Sequence, residues 1–472
     1  MGLNKTRNLR AAVIGKDGRT TALRRLLMRS PRIEGGIECL STGKAATEAE
    51  LVSEVLAAAN RVRPDFVVVG PEEPLALGIV DALWDLARIP CVGPTRALAQ
   101  VESSKAFTRN LLAKYKIAGN PRFEVFGNVS GLADYLSSLG EFVVKPDGLT
   151  GGKGVKVSGE HLNSIEEAVD YANELFGLGQ QRVVIEEKLE GEEFSLQSFT
   201  DGVTLLHTQP VQDHKRALEG DCGPNTGGMG SYSCATGTLP FLNPSDVTEA
   251  RRINEDVVRA LHLETGKRYR GVLFGGFMAT SSGVRLLEFN ARLGDPESLN
   301  VLSTLQSDFA DLCLGVLTES LASVSKSVLF APRSTVCKYL VPNGYPDCPV
   351  RNELIDPESM PIESENLRIY NAAVEESPQG LRLMGSRAVA VVGLGASVDE
   401  AFRVVDDACA AVRGPVRYRK DIGSRELIGK RVAHMRRLRP SPFLEPAAER
   451  AGQDGAAPWK SPMASEFAPL RH

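Results

Sequence analysis

Two stretches of this 472-residue chain combine glycines, basic residues and carboxylates at spacings suited to polyphosphate chemistry. VVKPDGLTGGKGVKV (residues 143–157) reads as a strand, a glycine-rich loop and a second strand. Gly148, Gly151, Gly152 and Gly154 let backbone N–H groups come close to a ligand, because no side chain stands in the way. Lys145 and Lys153 add two cations within reach of that loop, which points to a cradle for the phosphates of ATP. The loop is not a P-loop, since G-x-x-x-x-G-K-[ST] is absent. In RLLEFNARLGDPES (285–298), alternation along a strand puts Glu288 and Asn290 on one face, ~7 Å apart. Two oxygen donors so placed suit Mg²⁺ or Mn²⁺, hard cations that take one or two carboxylates together with substrate phosphates. Arg292 continues that face, and Asp295 falls in the turn before the next helix.

Two further stretches carry weaker signals. VVIEEKLEGEEFS (183–195) ends a strand in Glu186 and Glu187, with Glu192 and Glu193 beyond a turn. Carboxylates and backbone there could bind an adenine amino group and ribose hydroxyls, although taken alone an exposed acidic turn is the simpler reading. QDHKRALEGDCGPNTGGMGSYS (212–233) reads as a long polar loop, and loops beyond ~12–15 residues are usually functional or disordered. His214 within it has no paired base or nucleophile and is a candidate substrate contact.

The elements that must position these residues fall into three groups. Over the first hundred residues, strands at 11–15, 66–70 and 90–92 alternate with helices at 21–29, 48–59 and 74–86. Strands apolar throughout are buried on both faces, so a parallel sheet covered by helices is expected. Ligands then bind beyond the carboxyl ends of the strands, here the loops 15–20, 70–75 and 93–95. An antiparallel-rich α+β region follows, with strands at 143–145, 153–157, 183–186, 194–200, 204–209, 271–279 and 284–289. Its helices are expected at 104–115, 165–176, 244–261 and 299–318. Residues 334–435 read as a smaller α+β unit with strands at 336–341 and 388–393 and a helix at 398–412.

Composition narrows the class. A net charge of −4 provides no basic field for nucleic acid, and no run approaches the ~20 apolar residues of a membrane span. Eight cysteines are scattered without a C-x-x-C pair, as expected of buried, reduced thiols in a cytoplasmic enzyme. Small-molecule substrates are therefore the expected partners, for a monomer or small homo-oligomer.

Taken in order, these segments resemble the glycinamide ribonucleotide synthetase (phosphoribosylamine–glycine ligase) family of ATP-grasp ligases over residues 11–435. The motifs carrying the resemblance are GPEEPL (70–75), SSKAFTRNLL (103–112), VVKPDGLTGGKGVKV, VIEEKLEGEEF, QDHKR, GPNTGGMGSYS, EFNARLGDPE and RKDIG (419–423). GLTGGKGVKV and GSYSC look closer to the archaeal branch. The resemblance implies an N-terminal parallel α/β substrate-binding domain (1–103) and an ATP-grasp domain (104–330) with a lid at about 120–190. A small C-terminal α+β domain (331–438) and a disordered tail (439–472) would follow. The implied reaction joins glycine to 5-phosphoribosylamine through a glycyl phosphate, spending ATP, in purine biosynthesis. Lys105, Lys145 and Lys153 would face the phosphates, Glu186 and Glu187 the adenine and Glu193 the ribose. Glu288 and Asn290 would hold Mg²⁺ or Mn²⁺. Asp213, His214, Lys215, Asn225, Thr226, Arg292 and Asp295 would line the glycine and acceptor pocket, with Lys145, Lys153, Arg292 and Asp295 as the catalytic set.

The chain departs from the family pattern at GKDGRTTA (15–22). Family members usually carry a glycine-rich stretch there, ending in Gly-Arg-Glu-His or Ala-Arg-Glu-His. Gly15, Gly18, Arg19 and Ala22 are kept, Lys16 and Asp17 replace glycines, and Thr20 and Thr21 replace Glu-His. This loop is expected to hold the acceptor through Gly15 and Arg19, with Glu72 and Glu73 on its ribose hydroxyls or amine. Two other readings stay open: a related carboxylate–amine ligase with another acceptor, and a non-catalytic nucleotide-binding relative. The second should lack Glu288 and Asn290.

Overall fold

The computed structural model describes residues 8–41, 47–151 and 154–440. Lys153 and the expected tail from 441 onward lie outside the described residues.

The N-terminal part contains β1 (Ala11–Ile14), α1 (Gly18–Arg29), β2 (Glu38–Ser41), α2 (Glu48–Val62), β3 (Phe66–Val69), α3 (Glu72–Ala76), α4 (Ile79–Ala87) and β4 (Cys91–Val92). The strands form a parallel sheet in the order β2-β1-β3-β4. AAVI and FVVV are buried at every position, as strands covered on both faces must be. All three helices expected here differ in their bounds: α2 runs three residues further than 48–59, to Val62, where Arg63 in a left-handed conformation ends it. α1 starts three residues early because Asp17 caps it, accepting from the Thr20 N–H. The helix expected at 74–86 is two helices, α3 and α4, separated at Gly78 in a left-handed conformation.

Next come α5 (Arg96–Ser103), α6 (Lys105–Lys114), β5 (Phe123–Phe126), α7 (Leu132–Leu139), β6 (Phe142–Pro146), β7 (Lys156–Val157), α8 (Ile165–Gly177) and β8 (Val183–Glu187). Their antiparallel sheet runs β5-β8-β6-β7. One face packs on α7 and α8 in a core of its own, where Val144 and Ile185 meet Leu136, Ala168 and Leu175. Alternation therefore leaves Val143, Lys145, Val184 and Glu186 on the opposite face, and pairing sets Val143 across from Glu186 and Lys145 across from Val184.

That face looks toward a second sheet. The central elements are β9 (Gly191–Thr200), β10 (Leu205–His207), β11 (Gln212–Asp213), β12 (Arg216–Leu218), β13 (Cys222–Asn225), β14 (Gly230–Ser233), α9 (Pro244–Thr265), β15 (Gly271–Thr280), β16 (Gly283–Asn290), α10 (Glu297–Thr304), α11 (Phe309–Leu317) and α12 (Leu321–Val324). The body sheet is antiparallel in the order β10-β9-β15-β16. Leu196, Phe277, Leu286 and Phe289 point into the main core with α9's Ile253 and Val257. Glu193, Ser195, Gln197, Glu288 and Asn290 lie on the other face. The pairing steps from Gly276–Glu288 to Phe277–Leu286, so Leu287 is an extra, unpaired residue in a β-bulge. The helix expected at 299–318 is divided into α10 and α11, because Leu305 is extended and Asp308 caps a new start.

The C-terminal part adds β17 (Ser334–Pro342), β18 (Leu354–Ile355), β19 (Leu367–Asn371), β20 (Val374–Ser377), β21 (Gly380–Leu383), β22 (Val389–Gly395), α13 (Val398–Ala411), β23 (Val416–Arg417) and α14 (Arg425–Leu438). Its main sheet runs β11-β14-β17-β22-β19. The stretch 212–233, expected as a loop, thus supplies two of its strands. Gly230 permits this: a Cβ there would meet the Cys337 carbonyl at 2.2 Å. All eight cysteines are free, with Cys222 and Cys348 exposed rather than buried as expected. Among the described residues no helix is long and apolar enough to cross a membrane.

Candidate active site

The cleft between the two sheets is lined by charge. Lys145 on β6 donates to Glu186 on β8 at 2.7 Å, and Arg109 on α6 makes two bonds to the same carboxylate at 2.7 and 2.9 Å. Arg109 also donates to the bulge carbonyl of Leu287 at 2.8 Å, with Lys145 at 3.5 Å from it. Burial opposes the charge on Glu186, but Arg109 and Lys145 outweigh it and hold the carboxyl below its usual range. Two cations on one carboxylate fix the Lys145 ammonium in place with positive charge to spare.

Lys105, the first residue of α6, donates to the Gly148 carbonyl at 2.8 Å. The glycine-rich loop is pinned beside it by Asp147, which accepts from Ser104 Oγ at 3.0 Å, the Ala106 N–H at 3.1 Å and Arg182 at 2.9 Å. Gly148 itself has φ +120°, open to glycine and strained for other residues. Burial lowers the pKa of Lys105, with Glu288 pulling the other way.

Glu288 accepts no hydrogen bond from any described residue and is open to solvent on the cleft wall. Desolvation opposes its charge, yet Lys215, Lys145, Lys105 and Arg292 together keep it ionised below the ordinary range. Lys215 is held by Glu193 at 3.1 Å, and burial notwithstanding, that carboxylate raises its pKa. Asn290 shares the strand face with Glu288. Among the described residues no group of three or more His, Cys, Asp or Glu side chains is arranged to hold a metal ion. A carboxylate and an amide oxygen among lysines therefore suit a hard cation that takes its remaining ligands from phosphates and water.

At the carboxyl ends of the N-terminal strands, Arg19 and Arg292 share Glu72, at 3.5 and 3.1 Å. Arg292 also pairs with Glu102 at 3.0 Å, and both arginines donate to the Leu293 carbonyl. Burial opposes the charge on Glu72, but Arg292 and Arg19 bring its pKa down to about 2. Glu102 is more deeply enclosed. Burial there prevails over Arg292, Glu72 adds repulsion, and the pKa rises to about 7.

The departing residues of the first loop serve one another. Asp17 accepts from Arg19 Nε and Thr20 Oγ1, both at 2.8 Å. Thr20 Oγ1 lies where a Cβ on Gly15 or Gly70 would come within 2.6 or 2.7 Å. Thr21 donates to the Asn371 carbonyl on β19 at 2.6 Å. Lys16 and Glu73 are exposed.

The remaining expected residues divide. Asp295 is buried, accepting from Tyr339 at 2.6 Å and Arg387 at 3.1 Å. Asp213 is half-buried, its enclosed Oδ1 without a partner among the described residues, and desolvation, then Glu297, pushes its pKa well up. Thr226 Oγ1 donates to the Lys215 carbonyl at 2.8 Å and supports that lysine's turn. His214 is buried and stacked on Tyr232, so its ring is not brought to the cleft surface. Asn225 is exposed on β13, and Glu187 points to the opposite face of its sheet from Glu186, bound to Arg122. Arg109, Asp147, Glu102, Glu297, Tyr339 and Arg387 were not foreseen. Arg109 carried a usable signal, lying four residues after Lys105 on one helix face.

Three family descriptions match in order: Phosphoribosylglycinamide synthetase N domain over residues 9–102, its ATP-grasp (A) domain over 103–298 and its C domain over 335–425. The phosphoribosylamine–glycine ligase of Methanocaldococcus jannaschii is 44% identical over 448 residues, covering 91% of this chain and 100% of its own. That of Methanosarcina acetivorans is 46% identical over 393 residues, covering 83% and 86%. The crystal structure of phosphoribosylamine–glycine ligase from Thermotoga maritima superposes with a TM-score of 0.71 at 27% identity, over 88% of this chain and 100% of that one. Biotin carboxylase from Campylobacter jejuni, at 13% identity and TM-score 0.67 over 91% and 99%, shares the fold alone. The chain belongs to the phosphoribosylglycinamide synthetase family, with its ATP-grasp fold.

Proposed function

We propose that this enzyme joins glycine to 5-phosphoribosylamine through a glycyl phosphate, releasing ADP and phosphate on the route to purines. The observation that carries the reading is the lysine-lined cleft, where Lys105, Lys145 and Lys215 surround Glu288, which has no hydrogen-bond partner among the described residues. Lys105 and Lys145, joined by Lys153 from the glycine-rich loop, would bind the phosphates of ATP. Glu186 acts here by fixing Lys145, and Glu193 by holding Lys215, rather than by being free for a ligand. Glu288 and Asn290 would hold Mg²⁺ or Mn²⁺, which when bound neutralises and orients phosphate oxygens.

A carboxylate is a poor electrophile. The γ-phosphoryl group therefore moves to a glycine carboxylate oxygen as its bond to ADP breaks, a transfer governed by positioning and charge. The amine then attacks the acyl carbon, and phosphate leaves. Arg19, Arg292, Glu72 and Asp295 would frame the acceptor with residues 1–103. Residues 104–330 would hold ATP, 120–190 would close as a lid to exclude water, and 331–438 would complete the pocket.

Coupled ADP release with freshly made phosphoribosylamine tests this reading. Turnover should require both glycine and phosphoribosylamine. Turnover with glycine and another amine, but none with phosphoribosylamine, would instead favour a different acceptor, as the altered loop at 15–22 allows.

A further inference from the structure

A cavity of about 230 Å³ opens at the end of α1 remote from the cleft. Its walls come from the last turns of α1, the end of α10 and the strands β19 and β22. Arg25, Arg29, Arg333 and Arg368 surround it, beside apolar surface that includes the half-buried Leu26 and Leu305. Two carboxylates answer these four guanidiniums: Glu365 in the wall and Glu363, which is paired with Arg25. Arg333 donates to neutral oxygens, Asn366 Oδ1 at 2.6 Å and the Leu394 carbonyl at 3.0 Å. Arg368 likewise donates to the Leu367 carbonyl at 3.1 Å. Arg29 is exposed and forms no ion pair with a described residue. Arg25 lies over the Tyr370 ring, 5.1 Å from its centre, and Tyr370 is anchored to Ser303 at 2.9 Å.

We propose that this cavity binds a small phosphomonoester, its phosphate on the arginines and its organic body on Leu26 and Leu305. Phosphate oxygens can take paired contacts from several planar guanidiniums at once, which a single carboxylate cannot. The C-terminal end of the α1 dipole works against an anion here, and the excess of guanidiniums offsets it. α1 also links the cavity to the candidate acceptor site. Its twelve residues span ~18 Å, from Asp17 and Arg19 at one end to Arg25 and Arg29 near the other. An occupied cavity would brace α1 and alter acceptor affinity. The coupling rests on the proposed function, whereas the binding does not.

Calorimetric titration of the full chain, with ADP and Mg²⁺ present to fill the cleft, tests the binding with phenyl phosphate and inorganic phosphate as probes. Phenyl phosphate should bind more tightly than inorganic phosphate, and Arg29→Glu with Arg368→Gln should weaken it at least tenfold while ADP affinity stays unchanged. No binding to the wild type, equal affinity for the two probes, or undiminished binding in the double variant would overturn the proposal. Should the double variant lose ADP binding, Arg29→Ala alone decides, because that exposed side chain has no ion pair with a described residue to lose. With binding intact, phenyl phosphate should shift the acceptor KM, and an unmoved KM would overturn the coupling alone.

Discussion

At the scale of single residues, the cleft depends on charges kept deliberately unequal. Glu288 is the carboxylate that the lysines surround without hydrogen-bonding, and Glu288→Ala should abolish turnover at ordinary Mg²⁺ while leaving the unfolding transition in place. Unchanged steady-state rates in that variant would remove Glu288 from the metal site. Glu102 offers a pH test. Its pKa is raised from 4.5 to about 7, so the folded chain retains a proton that the unfolded chain has lost across that window. Stability should therefore fall as pH rises from about 4.5 to 7. Glu72, depressed to about 2, acts oppositely, and its contribution is complete above 4.5 and lost as pH falls toward 2. Urea midpoints measured across pH should show Glu102→Gln flattening the fall between 4.5 and 7. An identical slope in the variant would place its origin elsewhere. The face shared by Glu288 and Asn290 was legible from alternation along one strand. The pairing of Lys145 with Glu186 was not, because it needs the register of β6 against β8, 41 residues away in the chain.

At the scale of elements, the β5-β8-β6-β7 sheet is attached to the body through α6 as well as through its own chain ends. The Arg109–Glu186 pair is nearly inaccessible, with side chains only 2% and 3% exposed. Removing one partner of such a pair leaves a buried charge uncompensated and costs about 3–5 kcal/mol. Arg109→Ala should therefore destabilise the protein by about that amount in denaturant titration. It should also lower kcat, because Lys145 would lose the neighbour that orients its partner. A loss below 1 kcal/mol would show Glu186 to be satisfied by Lys145 alone. The apolar strands and longer helices were readable as runs and periods. The breaks within the helices expected at 74–86 and 299–318 were not, since each depends on one residue's backbone conformation against its neighbours. The departures at 15–22 were visible as substitutions, but their use as a helix cap and a wedge between two glycines emerges only when the loop is folded.

At the scale of the whole molecule, the C-terminal sheet reaches into the site. Arg387 binds Asp295 twice, through its carboxylate at 3.1 Å and its carbonyl at 2.8 Å, and also the Gly228 carbonyl at 3.0 Å. These contacts span 92 and 159 residues, which is why local pattern gave no sign of them. Arg387→Ala should raise the KM for glycine or acceptor while leaving that for ATP nearly unchanged. Equal rises in all three would mark a general loss of structure. The bulge at Leu287 has a further consequence at this scale. One extra residue in β16 turns a carbonyl out of the ladder, and cations from both α6 and β6 converge on it. The sheet that carries Lys145 is thus tied to the body at a backbone atom, which side-chain substitution cannot delete.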